Sequence, residues 1–217
     1  MHVRRGRLHV FDAIAARKAA LVVIDMQRTF IESGAPSEVA VARAIVPNIN
    51  RLARALRQSG GVVVWVQATF SRDGPQAWPL FFDHMVNPAL AARIHAGLTE
   101  GAPGHALWPE LQVEATDLRV PKSRYSAFFP GTCDLAAILQ ARGIDTVLIV
   151  GTLTNVCCEA SARDAMMAGF KTIMVSDGNA ARSDAEHLAT LVSVIQFVGD
   201  VYTTDEVIAL LRENSAP

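Results

Sequence analysis

Cysteine is scarce: Cys133, Cys157 and Cys158 are the only three in 217 residues, and two of them are adjacent. An odd number, in a chain whose opening MHVRRGRLHVFD has no apolar signal-peptide core, argues against a disulfide framework and for free thiols in a cytoplasmic protein. Long hydrophobic runs are missing too. Crossing a bilayer takes about 20 apolar residues, yet even the stretch from Ala19 to Met26 is interrupted by Asp25 and followed by Gln27 and Arg28. Positive charge is not in excess, since the formal net charge is −1 and the one basic cluster, Arg4, Arg5 and Arg7, lies in an N-terminal arm spanning residues 1–18. Neither nucleic acid nor membrane is therefore an expected partner. The six histidines, His2, His9, His84, His95, His105 and His187, include no tight pair at ligand spacing, so no metal is expected.

What is present is the material of a large core: 51% of residues are apolar and 19% charged, enough to bury a sheet under helices on both faces. The length suits one domain covering 1–217. Short β-branched runs alternate with stretches of helical period, the pattern of parallel strands joined by crossover helices. Strands are predicted at Leu21–Ile24, Val62–Val66, Leu118–Val120, Val147–Val150, Thr172–Val175 and Val201–Thr203. Helices are predicted at Val39–Gln58, Cys133–Arg142, Asn155–Ala168, Asp184–Phe197 and Asp205–Arg212. The fold class is α/β, a doubly wound three-layer α/β/α sandwich with a mostly parallel sheet of about six strands. Residues 71–114 break the alternation with Gly, Pro and the aromatics Trp78, Phe81, Phe82 and Trp108, and are expected to form a short-helix excursion serving as a lid or a subunit contact.

Three strand ends carry chemistry. The run ALVVIDMQRTF ends a buried strand on Asp25, which is either a desolvated base or a helix cap or ion-pair partner. The segment DLRVPKSRYSAFF places Lys122 directly after a strand, where a lone lysine is catalytic or simply solvated. Most specific is VLIVGTLTNVCCEASARDAMMAGF. Thr154 or Asn155 can cap the helix that follows, so that Cys157 falls in its first turn, where free N–H groups and a nearby lysine favour thiolate and can hold an oxyanion. The alternatives are that Cys157 and Cys158 are small buried hydrophobes, or a reversible thiol couple, although adjacent helical cysteines cannot bridge without distortion.

Taken together, VVIDMQ, VPKSRYSAF and the G-x-x-T-N-x-C-x-E-x-x-x-R-D-A block from Gly151 to Ala165 resemble the isochorismatase-like cysteine hydrolases, from about Ala19 to Leu211. The resemblance implies a triad of Asp25, Lys122 and Cys157, with Cys158 at the position after the nucleophile. It implies a non-proline cis peptide at Thr152–Leu153 and an oxyanion site made by the Leu153 and Cys157 N–H groups. It implies hydrolysis of a C–N bond in a small amide, ureide or carbamoyl compound through a thioester, without a cofactor, by a homo-oligomer, dimer or tetramer. Vinyl-ether hydrolysis, which needs no thiol, and a catalytically silent scaffold are the alternatives. The segment WVQATFSRDG has no histidine where nicotinamidases of this fold hold a metal, and Ala68 and Phe70 stand where ureidoacrylate hydrolases have Asn and Trp. Expected substrate contacts are Gln27, Phe30, Gln67, Phe70, Tyr125 and Phe128, with Arg124 able to meet a substrate carboxylate.

Overall fold

The continuous apolar run AALVVI forms strand β1, Ala19–Ile24, with every residue buried, as expected of a strand covered on both faces. Because successive side chains point to opposite sides, Ala19, Leu21 and Val23 enter one core and Ala20, Val22 and Ile24 the other. A computed structural model describes residues 5–213, so Arg4 of the basic cluster lies outside the described residues. The other strands are β2 (Val62–Ala68), β3 (Leu118–Lys122), β4 (Thr146–Thr152), β5 (Lys171–Ala180) and β6 (Asp200–Tyr202). They form one sheet in the order β3-β2-β1-β4-β5-β6, and every pairing is parallel.

One face is covered by helix α1, Ala42–Gln58, whose Ile45, Ile49, Leu52 and Leu56 recur at helical spacing and meet the β1 side chains together with Val207 and Leu211 of the terminal helix. The opposite face is covered by Leu135 and Leu139, Ala162 and Ala165, and Val194, from three further helices. In chain order the helices after α1 are α2 (Pro88–Leu98), α3 (Leu135–Ala141), α4 (Glu159–Met167), α5 (Asp184–Phe197) and α6 (Thr204–Glu213). The chain builds β1, β2 and β3 outward in one direction and β4, β5 and β6 in the other. The carboxyl ends of β1 and β4 therefore flank the switch point, where open α/β sheets bind ligands. No helix among the described residues is long and apolar enough to cross a membrane.

Two departures from the sequence expectation have clear causes. Strand β5 runs five residues beyond Val175 to Ala180, its second half hidden by the polar run Ser176, Asp177, Gly178 and Asn179. Asn179 Nδ2 donates to the Ile149 and Val175 carbonyls at 2.8 and 2.7 Å, filling the ladder where the register shifts. The N-terminal arm is not a free basic cluster: Arg5 pairs with the buried carboxylate of Asp200, which also accepts the Val10 and Phe11 amides at 2.8 and 2.7 Å, and Arg7 pairs with Asp12.

The excursion does contain short helical pieces: a wide turn at Phe81–Met85, α2, whose N-terminus is capped by Asn87 Oδ1 accepting from Leu90 N at 2.9 Å, and a tight turn at Pro103–His105. Ala68, Phe70, Ile94 and Leu98, with Trp78 and Phe82 against them, give it a small core of its own beside the ends of β1 and β2.

Candidate active site

Asp25 follows β1 with a φ of 53°, an unusual left-handed conformation for a residue with a side chain. Its N–H donates to the Val66 carbonyl at 3.0 Å, holding the residue against β2. The carboxylate is wholly buried. Oδ1 accepts the Ala68 N–H at 3.0 Å, and Oδ2 lies 2.8 Å from Lys122 Nζ. Lys122 closes β3 opposite Ala68, so the three adjacent strands β1, β2 and β3 deliver these groups to one edge. The lysine's ammonium also donates to the Arg124 carbonyl at 3.0 Å, which bends the following loop back over the site.

On the other side of β1, the end of β4 passes so close that a Cβ on Gly151 would lie 2.1 Å from the Ile24 carbonyl oxygen; only glycine fits there. Thr152 Oγ1 donates to the Asp25 carbonyl at 3.2 Å, and the Thr152–Leu153 peptide is cis. The chain then forms a wide turn, Thr154–Cys158, in which Cys158 N bonds the Leu153 carbonyl at 3.1 Å, before α4 begins at Glu159. This turn brings the Cys157 thiol within hydrogen-bonding reach of both Asp25 and Lys122. Cys158 feels the same charges without a hydrogen bond to them and packs in the core.

The turn differs from the capped helix expected. Neither Thr154 nor Asn155 caps it by a side chain; the Thr154 hydroxyl instead meets His187 Nδ1 at 2.9 Å. The thiol also differs from expectation. Burial, the largest influence, pushes Cys157 up to about 12, because Lys122 pulls it down by less than burial and Asp25 push it up. Burial also works against the Lys122 ammonium, but Asp25 and Cys157 together overcome it and hold its pKa above the ordinary lysine value. Burial thus opposes thiolate formation at this position while Lys122 favours it.

The expected substrate contacts fall into different settings. Gln27 is fully buried, its amide donating to the Ala68 and His105 carbonyls at 3.1 and 3.0 Å while Oε1 accepts the Ala68 N–H at 2.8 Å. Gln67 donates to the same His105 carbonyl at 2.9 Å. Phe30 is partly buried against the excursion's core, and Phe70 lies inside it. Phe128 packs on Phe170 with ring centroids 5.6 Å apart, within the core under α3 and α4. Tyr125 faces outward near the thiol: burial, then Cys157, raises its pKa. Trp78 stands edge-on to Tyr125 at 4.8 Å and beneath the Arg124 guanidinium at 5.1 Å, and Phe81 flanks both rings. A cavity of about 340 Å³ opens between Trp78, Tyr125, Phe129 and Ala160, the last being three residues beyond Cys157.

Sequence reasoning named the excursion's aromatics and Tyr125 without pairing them, took Thr154 only as a cap and His105 and His187 only as histidines without ligand spacing, and did not single out Thr69. The conspicuous T-N-V-C-C string drew attention to capping, not to a histidine 33 positions away. Among the described residues no three His, Cys, Asp or Glu side chains converge where a metal ion would sit.

Residues 19–206 match the family model described as Isochorismatase domain. The chain belongs to the isochorismatase family. Among relatives of that family, a protein of Arabidopsis thaliana named "Probable inactive nicotinamidase" is 32% identical over 184 residues, covering 82% of this chain and 88% of its own. The ureidoacrylate amidohydrolase RutB of Rhizobium rhizogenes is 31% identical over 214 residues, covering 90% and 84%. The crystal structure of a cysteine hydrolase from Pseudomonas syringae pv. phaseolicola superposes with a TM-score of 0.83 at 29% identity, over 93% of this chain and 95% of that one. The doubly wound sheet of this chain is thus the fold of the family's hydrolases.

Proposed function

We propose that the protein is a cysteine amidohydrolase, cleaving a C–N bond in a small amide, ureide or carbamoyl compound, with residues 1–217 acting as one catalytic domain. The observation that carries this reading is the convergence of Asp25, Lys122 and Cys157 from positions at or beyond the ends of three separate strands, a buried ion pair with the thiol within its reach. Similarity to an amidohydrolase and to a cysteine hydrolase supports it.

With the thiol pushed up to about 12, nucleophilic attack requires Asp25 to take the Cys157 proton as the sulfur bonds to the substrate carbonyl. The Leu153 and Cys157 N–H groups receive the tetrahedral oxyanion. Collapse of that intermediate breaks the C–N bond, and Asp25 passes its proton to the departing nitrogen. A thioester on Cys157 and free ammonia or amine result. Water then attacks the thioester as Asp25 takes its proton, and Asp25 returns that proton to sulfur as the acid or carbamate leaves. Lys122 keeps its charge throughout, orienting the carboxylate and offsetting the negative charge on sulfur. Tyr125, with Trp78 and Phe81, forms the substrate-facing wall, and the excursion serves as a lid. Gln27 and Gln67, whose amides are already engaged by backbone, act by fixing the β1 and β2 ends.

The test is ammonia release from a panel of small amides, ureides and carbamoyl compounds by the parent protein and Cys157→Ala. Turnover confined to the parent is expected. An inert parent, or a Cys157→Ala variant as active as the parent, would reject the thiol mechanism.

A further inference from the structure

Thr154 opens the turn that presents Cys157, and it is wholly buried. Its hydroxyl lies 2.9 Å from Nδ1 of His187, in the first turn of α5, and no second partner for that hydroxyl is present among the described residues. The direction of this bond follows from counting. A threonine hydroxyl has one proton and a neutral imidazole one acceptor nitrogen. Were Nδ1 protonated and donating, the Thr154 proton would be left without an acceptor in a buried site, at the cost of an unmade hydrogen bond. The satisfied arrangement is Thr154 O–H donating to Nδ1, with the ring proton on Nε2. An imidazolium has no acceptor and cannot support it.

The surroundings favour the neutral ring. Burial lowers the pKa of His187, with Asp184 of its own helix opposing. The other charges on α5 and on the elements packed against it are engaged elsewhere: Glu186 with Ser183, Glu159 with Arg163, Asp200 with Arg5, Lys171 with Asp145, and Asp177 with Asn48 and Thr204. Asp164 of α4 faces the cavity beside Trp78. Asp25 and Lys122, paired with each other, lie beyond the turn.

We propose that His187 is a positioning residue for Cys157: as a neutral ring it accepts the Thr154 hydroxyl and holds the cysteine turn in attacking geometry, and its protonation in acid releases that hold. This rests on the amidohydrolase reading for its rate readout, but not for its structural one.

The experiment compares the parent with Thr154→Val, Thr154→Ser, His187→Leu, His187→Asn and the double variant Thr154→Val/His187→Leu. Each apolar variant is expected to lower kcat about tenfold, the kinetic equivalent of one hydrogen bond, with KM little changed. The double variant is expected to be no worse than either single. Thr154→Ser and His187→Asn, which keep a hydroxyl and an acceptor oxygen in place, are expected to stay within about twofold of the parent. His187→Asn is also expected to lose the acid limb of the parent's kcat profile. Additive losses, or an Asn variant as impaired as the Leu variant, would overturn the proposal. Nitrogen-15 NMR of the ring decides the bond itself, with unprotonated Nδ1 expected and protonated Nδ1 contradicting it. If the parent hydrolyses no amide, the amidohydrolase reading fails separately. The positioning role is then judged by iodoacetamide labelling of Cys157, expected to change in both apolar variants and to return to the parent's rate in the conservative ones; identical rates in all five would reject it.

Discussion

Lys122 and Asp25 form an ion pair 2.8 Å long in which the side chains are 1% and 0% exposed. Such a pair is costly to assemble and more costly to break on one side, because the survivor is an uncompensated buried charge. Lys122→Met is expected to remove about 3–5 kcal/mol of stability, and the double variant Asp25→Asn/Lys122→Met to recover most of it without recovering activity. Urea unfolding of the three proteins checks this. A double variant as unstable as Lys122→Met would mean that the lysine's packing, and not its charge, holds the site.

The two adjacent cysteines separate by environment. Cys157 lies within hydrogen-bonding reach of Asp25 and Lys122, whereas Cys158 feels only their charges. Cys157→Ser is expected to lower turnover by at least about a thousandfold, the scale of losing a triad member, while Cys158→Ala keeps activity within a few fold. Since burial pushes the Cys157 thiol up to about 12, its direct alkylation should keep rising with pH well past 9. A plateau near pH 8.5, as for an ordinary free thiol, would show that Lys122 offsets burial.

The sheet was legible because β1 and the Val147–Val150 part of β4 are uninterrupted apolar runs, as befits strands buried on both faces. The polar half of β5 was not, since its ladder is completed by the side chain of Asn179, a tertiary event. The convergence of Asp25, Lys122 and Cys157 was legible because each ends or follows a strand, and a parallel sheet gathers those ends. Its supports were not. Gln27 is engaged by a carbonyl 78 positions away and Thr154 by a ring on another helix, and nothing local distinguishes either from a pocket residue or a cap. Phe128 was misplaced for a related reason: SAFF offers two aromatics, and only packing shows that Phe128 turns inward while Phe129 stays exposed.

Gln27 satisfies three backbone groups at once: the Ala68 N–H and the Ala68 and His105 carbonyls. It thereby ties the excursion to the strand whose amide also binds Asp25. Gln27→Leu leaves those groups without that partner, and is expected to cost about 1–3 kcal/mol for an unsatisfied buried group and to lower kcat more than it raises KM. Calorimetric melting and steady-state kinetics test both. An unchanged kcat would confine Gln27 to stability.

Trp78 stands in the excursion proposed as a lid. It touches Tyr125, Phe81 and Arg124 but none of the triad, so Trp78→Ala removes the wall and leaves the chemistry. KM is expected to rise about tenfold with kcat largely kept, on the scale of losing one or two aromatic contacts at about 0.5–1.5 kcal/mol each. A loss confined to kcat would place Trp78 in the chemical step.

Acid should weaken the fold through two histidines before it reaches any carboxylate. Burial lowers both His105 and His187 below the ordinary value of 6.5. The unfolded chain therefore binds protons that the folded one refuses, and stability is full above pH 6.5 and lost as pH falls from there through each folded-state pKa. The two differ in what protonation does. Thr69 donates its hydroxyl proton to the Gln67 carbonyl at 3.0 Å and so accepts from His105 Nε2, a bond that imidazolium keeps; His187 must give up its role as acceptor. Urea unfolding at pH 7.5 and pH 5 should show a loss in the parent that shrinks more with His187→Asn than with His105→Asn. An equal change in both variants would mean that desolvation alone, and not the direction of the hydrogen bond, sets the acid response.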